Sequence, residues 1–221
     1  MKRFLAQALS VLAHPLFAGT YAAVILYGLY DGSSFLYQTA GIDVGGFWGT
    51  ADAATLSFTQ AVFLLTALAP ILLILLLKRL GVVSSFEMDD KRERIVPYLF
   101  CILCYVLAVF YVLSQDMILD FFIFAGVVLA LTVCFLVNLV WKISAHCTAA
   151  AGLIPVTVAA HNAYGVADFF VFFLVVMAGL VGVARLYLRK HTVRQVFAGY
   201  LTGFLIMSIA VELGMLATYF L

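Results

Sequence analysis

Residues 117–141 read MILDFFIFAGVVLALTVCFLVNLVW, and Asp120 is the only residue among them that carries a charge. A helix that crosses the hydrocarbon core of a bilayer needs about 20 mostly apolar residues. Because lipid offers no hydrogen-bond partners, a segment in the bilayer must pair its own backbone N–H and C=O groups, as a helix does. This stretch therefore predicts a membrane-spanning α-helix.

The rest of the chain repeats this apolar character. It is 66% hydrophobic and only 10% charged, whereas soluble domains average about 45–50% apolar and about 25% charged residues. We predict an all-α fold, a polytopic membrane bundle of about six or seven transmembrane helices that forms one integral membrane domain over residues 1–221. The six further apolar stretches are 8–30, 55–77, 97–114, 147–163, 166–187 and 196–220.

Stretch 147–163 differs from the others because it is short, rich in alanine and interrupted by Pro155, His161 and Asn162. Polar side chains at membrane depth are costly unless they face protein or water. We therefore expect this stretch to pack inside the bundle rather than against lipid.

The basic residues fall on one side of the predicted membrane. If seven spans alternate in direction, all 12 Lys and Arg residues lie on the N-terminal side, and the opposite connections carry aspartates and no basic residue. The positive-inside rule places the basic side in the cytoplasm. The same asymmetry would arise if this side were an anion-binding site. The basic residues are Lys2, Arg3, Lys78, Arg79, Lys91, Arg92, Arg94, Lys142, Arg185, Arg189, Lys190 and Arg194.

Three short segments on the basic side have a composition that suits phosphate binding. They are residues 90–97, 142–146 and 184–195, each at a predicted helix end, and together they hold several cations, a serine and two histidines. Arginine offers a planar fork of donors that matches phosphate oxygens, and helix N-termini favour anions. We interpret the three segments as parts of one candidate site.

The spacing of residues in these segments resembles that of a known family. Arg185 is followed by five residues and His191, and three more residues lead to Gln195, while Ser144 and His146 stand two positions apart. These residues look like the motifs Ser-Arg-x5-His-x3-Asp and Pro-Ser-Gly-His of the type 2 phosphatidic acid phosphatase family, the membrane relatives of vanadium haloperoxidases. The chain resembles a divergent, short bacterial member, with a family-like core over about residues 85–205.

The chain departs from the family pattern in two places. The family's first motif is Lys-x6-Arg-Pro; here Lys91 and Arg94 lie near Pro97, with shorter spacing and no Arg-Pro pair. The family's third motif ends in an aspartate that accepts a hydrogen bond from the nucleophilic histidine, and Gln195 stands in its place. A glutamine oxygen also accepts a hydrogen bond, but it carries no charge that would stabilise an imidazolium.

The resemblance implies a role for each matched residue. His191 would be the nucleophile that forms a phosphohistidine, His146 would be the general acid that protonates the leaving alcohol, and Gln195 would orient His191. The implied mechanism needs no metal and no cofactor, because side-chain cations stabilise the transition state. The phosphate-binding residues implied by the family are Arg185, Ser144, Lys91 and Arg94.

The resemblance leads us to expect a metal-independent phosphatase in the bacterial inner (cytoplasmic) membrane, and the distribution of basic residues places the motif face in the cytoplasm. Its substrate would be a lipid phosphate or diphosphate monoester of the phosphatidic acid, phosphatidylglycerol phosphate or polyprenyl diphosphate type. Expected partners are membrane lipids, and no nucleic acid. One alternative, favoured by Gln195, is a catalytically inactive relative that binds anionic lipid. The other is a small membrane transporter, for which Glu212 in the last apolar stretch would mark an ion path.

Several other residues have simpler interpretations. The CxxC pair at residues 101–104 has no second pair to complete a four-thiolate metal site, so we interpret both cysteines as small apolar residues. His14 and His161 fit residues that are buried in, or pair with, neighbouring helices. Gly199 and Gly203 have the spacing of close helix packing in membranes.

Overall fold

The computed structural model describes residues 2–28, 58–85, 88, 90, 92–164, 166 and 168–220. Within these ranges the chain forms helices joined by turns and short connections, and no strand. A π-helical turn at Val24–Gly28 follows the helix Ala18–Ala23. A second π-helical turn at Leu64–Leu68 joins the helix Phe58–Phe63 to the helix Ala69–Arg79. The α-helices are α1 (Lys2–Leu12), α2 (Ala18–Ala23), α3 (Phe58–Phe63), α4 (Ala69–Arg79), α5 (Ile95–Leu113), α6 (Ile118–Val140), α7 (Ala145–Tyr164), α8 (Asp168–Tyr187) and α9 (Val193–Phe220).

Six helical segments of the described chain are long and apolar enough to cross a membrane. Together with α7 they match the seven apolar stretches of the sequence, so the predicted all-α polytopic membrane fold is confirmed. Leucine, valine and phenylalanine side chains cover their outer faces, as contact with lipid tails requires. The six segments are Arg3–Leu26, Phe58–Arg79, Ile95–Leu113, Ile118–Val140, Asp168–Tyr187 and Val193–Phe220.

Helix α7 lies inside the described bundle. It packs along α9 and against α8, and its residues Cys147, Val156, Thr157 and Ala160 are at most 1% exposed. Small side chains let neighbouring helix backbones come close, so an alanine-rich helix suits this position. The expectation that stretch 147–163 packs inside the bundle is confirmed.

Two glycines of α9 decide how closely α9 approaches α7. A Cβ atom at Gly203 would overlap the backbone oxygen of Thr148, and one at Gly199 would lie 2.6 Å from that of Ser144. The predicted packing role of both glycines is therefore confirmed. This contact also brings the starts of the two helices together, and the N–H of Ser144 donates to the carbonyl of Gln195 at 3.3 Å.

We expect Gly203→Ala to lower the free energy of unfolding by about 2 kcal/mol or more, because the added methyl meets a helix backbone and overpacking of this kind costs about 1–3 kcal/mol. Thermal unfolding of the purified protein in detergent measures the change. The matched control is Gly179→Ala on α8, where an added Cβ meets nothing within 4 Å. Equal unfolding midpoints for the two variants would show that the close approach contributes no stability.

The first span differs from the single helix predicted over 8–30. It is interrupted at His14, whose backbone is extended with φ −66° and ψ 135°. The physical reason is Pro15, because the residue before a proline is disfavoured in the helical region. His14 then caps the short helical turn that follows, and its Nδ1 accepts a hydrogen bond from the N–H of Leu16 at 3.3 Å.

Candidate functional site

A cavity of about 450 Å³ lies between the helices, and it is polar at one end and apolar over the rest. The polar end forms where α1 and α8 end and where α5 and α7 begin. The apolar part continues along side chains such as Ile123, Val127, Val156 and Met207. The cavity therefore has the character of a site for a ligand with a polar head and an apolar tail. The polar end contains Ser10, His14, Arg94, His146, Arg185 and His191.

Four of the residues predicted from the motifs line this one cavity. They are Arg94 before α5, His146 in the first turn of α7, Arg185 near the end of α8, and His191 in the turn between α8 and α9. These residues come from three segments that are well separated along the chain. Packing of the helices brings them to the same end of the bundle.

Gln195 holds the ring of His191 in a defined orientation. The Oε1 atom of Gln195 accepts a hydrogen bond from the backbone N–H of Thr192 at 3.0 Å and lies 3.2 Å from Nδ1 of His191. Thr192 and Gln195 flank the start of α9 as a capping box does. Because the backbone bond identifies this atom as the amide oxygen, Nδ1 of His191 is the donor, and Nε2 carries the lone pair of the neutral ring. Gln195 itself does not line the cavity.

The surroundings of His191 favour its neutral form. Burial lowers the pKa of His191 to about 3, and the positive charges of Arg185, Lys142 and Arg94 act in the same direction. The hydrogen bond that His191 donates to Gln195 raises the pKa and so acts against them. At neutral pH the ring is therefore uncharged, which is the form of imidazole that can attack phosphorus. A phosphate bound in the cavity would lie near Arg94, Arg185 and a neutral imidazole.

Arg185 is the buried cation of the site. Its side chain is 7% exposed, and its Nη1 donates to the hydroxyl of Ser10 at 3.4 Å. Its charge acts on the imidazoles of His14, His146 and His191, so one guanidinium is electrostatically coupled to three histidines. A guanidinium presents a planar fork of donors that matches the oxygens of a phosphate, which makes the position suitable for binding an anion.

Arg94 approaches the cavity from another direction. Its Nε donates to the backbone oxygen of Met88 at 2.7 Å, and this bond holds the guanidinium beside the first turn of α5. Met88 and Arg94 both line the cavity. Lys91, the third cation of the motif comparison, lies outside the described residues, so its assignment stays a prediction.

His146 is oriented by the N-terminal helix. Its Nε2 lies 3.1 Å from the backbone oxygen of Ser10. A carbonyl oxygen only accepts hydrogen bonds, so Nε2 carries the ring proton and Nδ1 has the lone pair. The two histidines thus use opposite nitrogens: His191 keeps Nε2 free for chemistry, and His146 keeps Nδ1.

Ser144 is not among the residues that line the cavity. It is fully buried, and its Oγ accepts a hydrogen bond from the N–H of Cys147 at 3.5 Å, as the N-cap of α7. The structure therefore places the Ser144 side chain at the start of α7, where it caps the helix. Its predicted contact with phosphate stays a prediction.

Sequence reasoning assigned neither Ser10 nor His14 to the site, although both line the cavity; it interpreted His14 as a residue that is buried in, or pairs with, neighbouring helices. Both belong to the first span, which has no counterpart in the three motifs. The signal was nevertheless present, because Gln7, Ser10 and His14 are three and four residues apart and so share one face of an otherwise apolar helix. His14 is half-buried and lines the cavity.

Within the part of the chain that the structure describes, no three His, Cys, Asp or Glu side chains are arranged to hold a metal ion. Comparison of the chain with protein-family models, with curated proteins and with solved structures finds no match.

Proposed function

We propose that this protein is a phosphatase of the bacterial inner membrane that hydrolyses a lipid phosphate or diphosphate monoester through a phosphohistidine. The observation that carries the proposal is that Arg94, His146, Arg185 and His191 line one cavity. Two oriented histidines beside clustered cations are the parts that such a reaction needs. In this proposal the basic end of the bundle faces the cytoplasm.

In the first step of the proposed reaction, Nε2 of His191 attacks the terminal phosphorus and the bond from phosphorus to the leaving oxygen breaks. The leaving oxygen is the alcohol oxygen of a monophosphate or the bridging oxygen of a diphosphate. The negative charge of the bound phosphate favours a second proton on Nδ1 of His146, whose Nε2 proton stays on the Ser10 carbonyl, and His146 transfers this second proton to the leaving oxygen. In the second step His146 takes a proton from water, the resulting hydroxide attacks phosphorus, and the P–N bond breaks. Inorganic phosphate leaves, and both histidines return to their starting forms.

The cations stabilise charge on the phosphoryl oxygens during both steps. Arg185 is buried and forked, so it can bind two oxygens at once. Arg94 and Lys142 add positive charge from other segments, since both act electrostatically on His191. A water-poor site makes such charges more effective than they are in solution.

The apolar part of the cavity supports a lipid as the substrate. It extends from the histidines to Tyr105, Ile123 and Met207, which lie within membrane-spanning helices. A lipid tail that moves from the bilayer into this part of the cavity stays in apolar surroundings. A hydrocarbon tail beside a phosphate thus matches both parts of the cavity.

The second candidate function is binding of anionic lipid without turnover. The observation that favours it is the presence of Gln195 where the family has an aspartate. The Gln195 side-chain oxygen caps α9 and orients the ring of His191, but it carries no charge. Without a carboxylate, the imidazolium that forms during transfer is stabilised less. The same cations would then serve to hold a headgroup.

One assay separates the two candidates. Phosphate release is measured with the purified protein in detergent, using phosphatidic acid, phosphatidylglycerol phosphate and a polyprenyl diphosphate in turn. Binding of orthovanadate, which mimics the transition state of phosphoryl transfer, is measured in parallel. Release from any of these lipids supports the phosphatase. Vanadate binding with no release across the panel would leave lipid binding as the function.

We expect Gln195→Asp to raise the rate of phosphate release by about 10-fold or more. An aspartate would stabilise the His191 imidazolium, and loss of the equivalent charge in a serine protease costs about 10⁴ in rate. A carboxylate in the first turn of α9 is also favourable for the helix. The matched control is Gln195→Asn, which has the length of aspartate and no charge. If both variants release phosphate faster than the parent by the same factor, side-chain length rather than charge limits the rate of the parent protein.

A further inference from the structure

The side chain of His14 has two sets of neighbours with different hydrogen-bonding requirements. On one side, its Nδ1 accepts the hydrogen bond of the Leu16 N–H that caps the turn after the helix break. On the other side, the residue lines the cavity that holds His146, Arg185 and His191. The Leu16 N–H needs a hydrogen-bond acceptor, whereas an anion in the cavity needs a hydrogen-bond donor.

A neutral imidazole meets both requirements, because it has one acceptor nitrogen and one donor nitrogen. A backbone N–H can only donate, so Nδ1 of His14 holds the lone pair and Nε2 holds the proton. Nε2 is then the nitrogen that remains to serve the cavity. Lysine and arginine could not accept the cap hydrogen bond, and serine or aspartate could cap but would not reach as far.

His14 is also fixed against the proposed general acid. Its ring packs edge-to-face on that of His146, with centroids 5.1 Å apart and planes at 82°. Ser10, one helical turn earlier, holds the other side of His146 through its carbonyl and binds Arg185 through its hydroxyl. The segment from Ser10 to His14 thus touches both a cation and a histidine of the site.

We propose that His14 is a third histidine of the anion site, donating its Nε2–H to an oxygen of a phosphate bound between Arg185 and His146. This role rests on the anion-binding part of the proposed function and is independent of turnover. In this proposal one side of the phosphate pocket is formed by the N-terminal span, which lies outside the three motifs. A residue that only capped the helix break would need no second nitrogen.

The experiment compares His14→Asn with the parent protein. Asparagine places its Oδ1 near the position of Nδ1 and is among the best N-caps, so the cap hydrogen bond is retained while the Nε2–H is lost. We expect the thermal unfolding midpoint in detergent to be unchanged. We expect orthovanadate to bind about 10-fold more weakly, and phosphate release to fall by about 100-fold in kcat/KM, the usual effect of removing one donor to a charged oxygen.

The matched control is His161→Asn, at the end of α7 that lies away from the cavity. His161 donates from Nδ1 to the backbone oxygen of Val166 at 2.7 Å, a bond that the asparagine amide can replace. Its vanadate affinity and phosphate release should equal those of the parent. His14→Ala, which removes both nitrogens, should lower the unfolding midpoint as well as binding, and so reports the cap separately.

The outcomes distinguish this inference from the proposed reaction. If the parent releases phosphate and His14→Asn matches it in turnover and vanadate affinity, His14 is only a cap and the inference fails while the phosphatase stands. If the parent shows no turnover but His14→Asn weakens vanadate binding about 10-fold, the inference stands and the reaction fails. A parent protein that binds neither orthovanadate nor inorganic phosphate would overturn the anion site and this inference together.

Discussion

Replacing His191 by alanine is expected to lower phosphate release by about 10⁴-fold or more, to the background of the assay. The proposed reaction transfers the phosphoryl group to Nε2 of His191, and removal of a covalent nucleophile typically costs this much or more in kcat. The substitution removes a ring that is 9% exposed but leaves the cap between Gln195 and Thr192 intact. The variant should therefore still fold and bind orthovanadate.

Two further measurements test whether the loss of phosphate release is specific to His191. The phosphoryl intermediate is trapped by rapid quenching with alkali after mixing with radiolabelled substrate, and label should remain on the parent protein and be absent from His191→Ala. His161→Ala, at the opposite end of α7, controls for loss of a histidine elsewhere. Undiminished release by His191→Ala would exclude His191 as the nucleophile and leave His146 and His14 as the remaining imidazoles of the cavity.

Replacing Arg185 by lysine is expected to lower kcat/KM for phosphate release by about 10³-fold, although the charge is kept. Lysine offers a single ammonium in place of a planar fork, so it cannot bind two phosphoryl oxygens in fixed geometry. An arginine that stabilises a phosphoryl transition state is typically worth about 10³–10⁵ in rate. The bond from Nη1 to the Ser10 hydroxyl, at 3.4 Å in the parent, would also be lost.

Arg189 provides the matched control, because it is an exposed arginine four residues later along the chain. Arg189→Lys should release phosphate at the parental rate. Steady-state kinetics on one lipid phosphate test whether the guanidinium fork of Arg185 is required, and unfolding midpoints for both variants show whether either change alters stability. Parental activity in Arg185→Lys would mean that positive charge alone is required, and that the guanidinium fork has no part in the reaction.

Much of the fold follows from the sequence because a membrane imposes local rules. Each apolar stretch of about 20 residues had to become a helix, since its backbone could pair only with itself. The break at His14 is the exception, and its cause, Pro15, was visible in the sequence. The interior position of α7 was also predictable, because a stretch with Pro155, His161 and few large side chains is poorly suited to face lipid.

The candidate site was predictable only where its residues are close in sequence. The hydrogen bond from His191 to Gln195 spans one helical turn, and the structure contains it at 3.2 Å. Ser144 has the spacing of a motif residue from His146, yet its side chain caps α7 and does not line the cavity. Spacing predicts that two residues are neighbours, but the direction of each side chain depends on how the helix packs.

The sequence by itself determined the all-α membrane fold and the approximate positions of its apolar helices, because these depend on composition within single segments. Only the tertiary structure decided that the first span completes the site. Ser10 meets His146 across 136 residues and Arg185 across 175, and no local pattern encodes contacts of that length. They follow from helix packing, in which Gly199 and Gly203 allow the backbones of α7 and α9 to touch, so that the ends of four helices converge on one cavity.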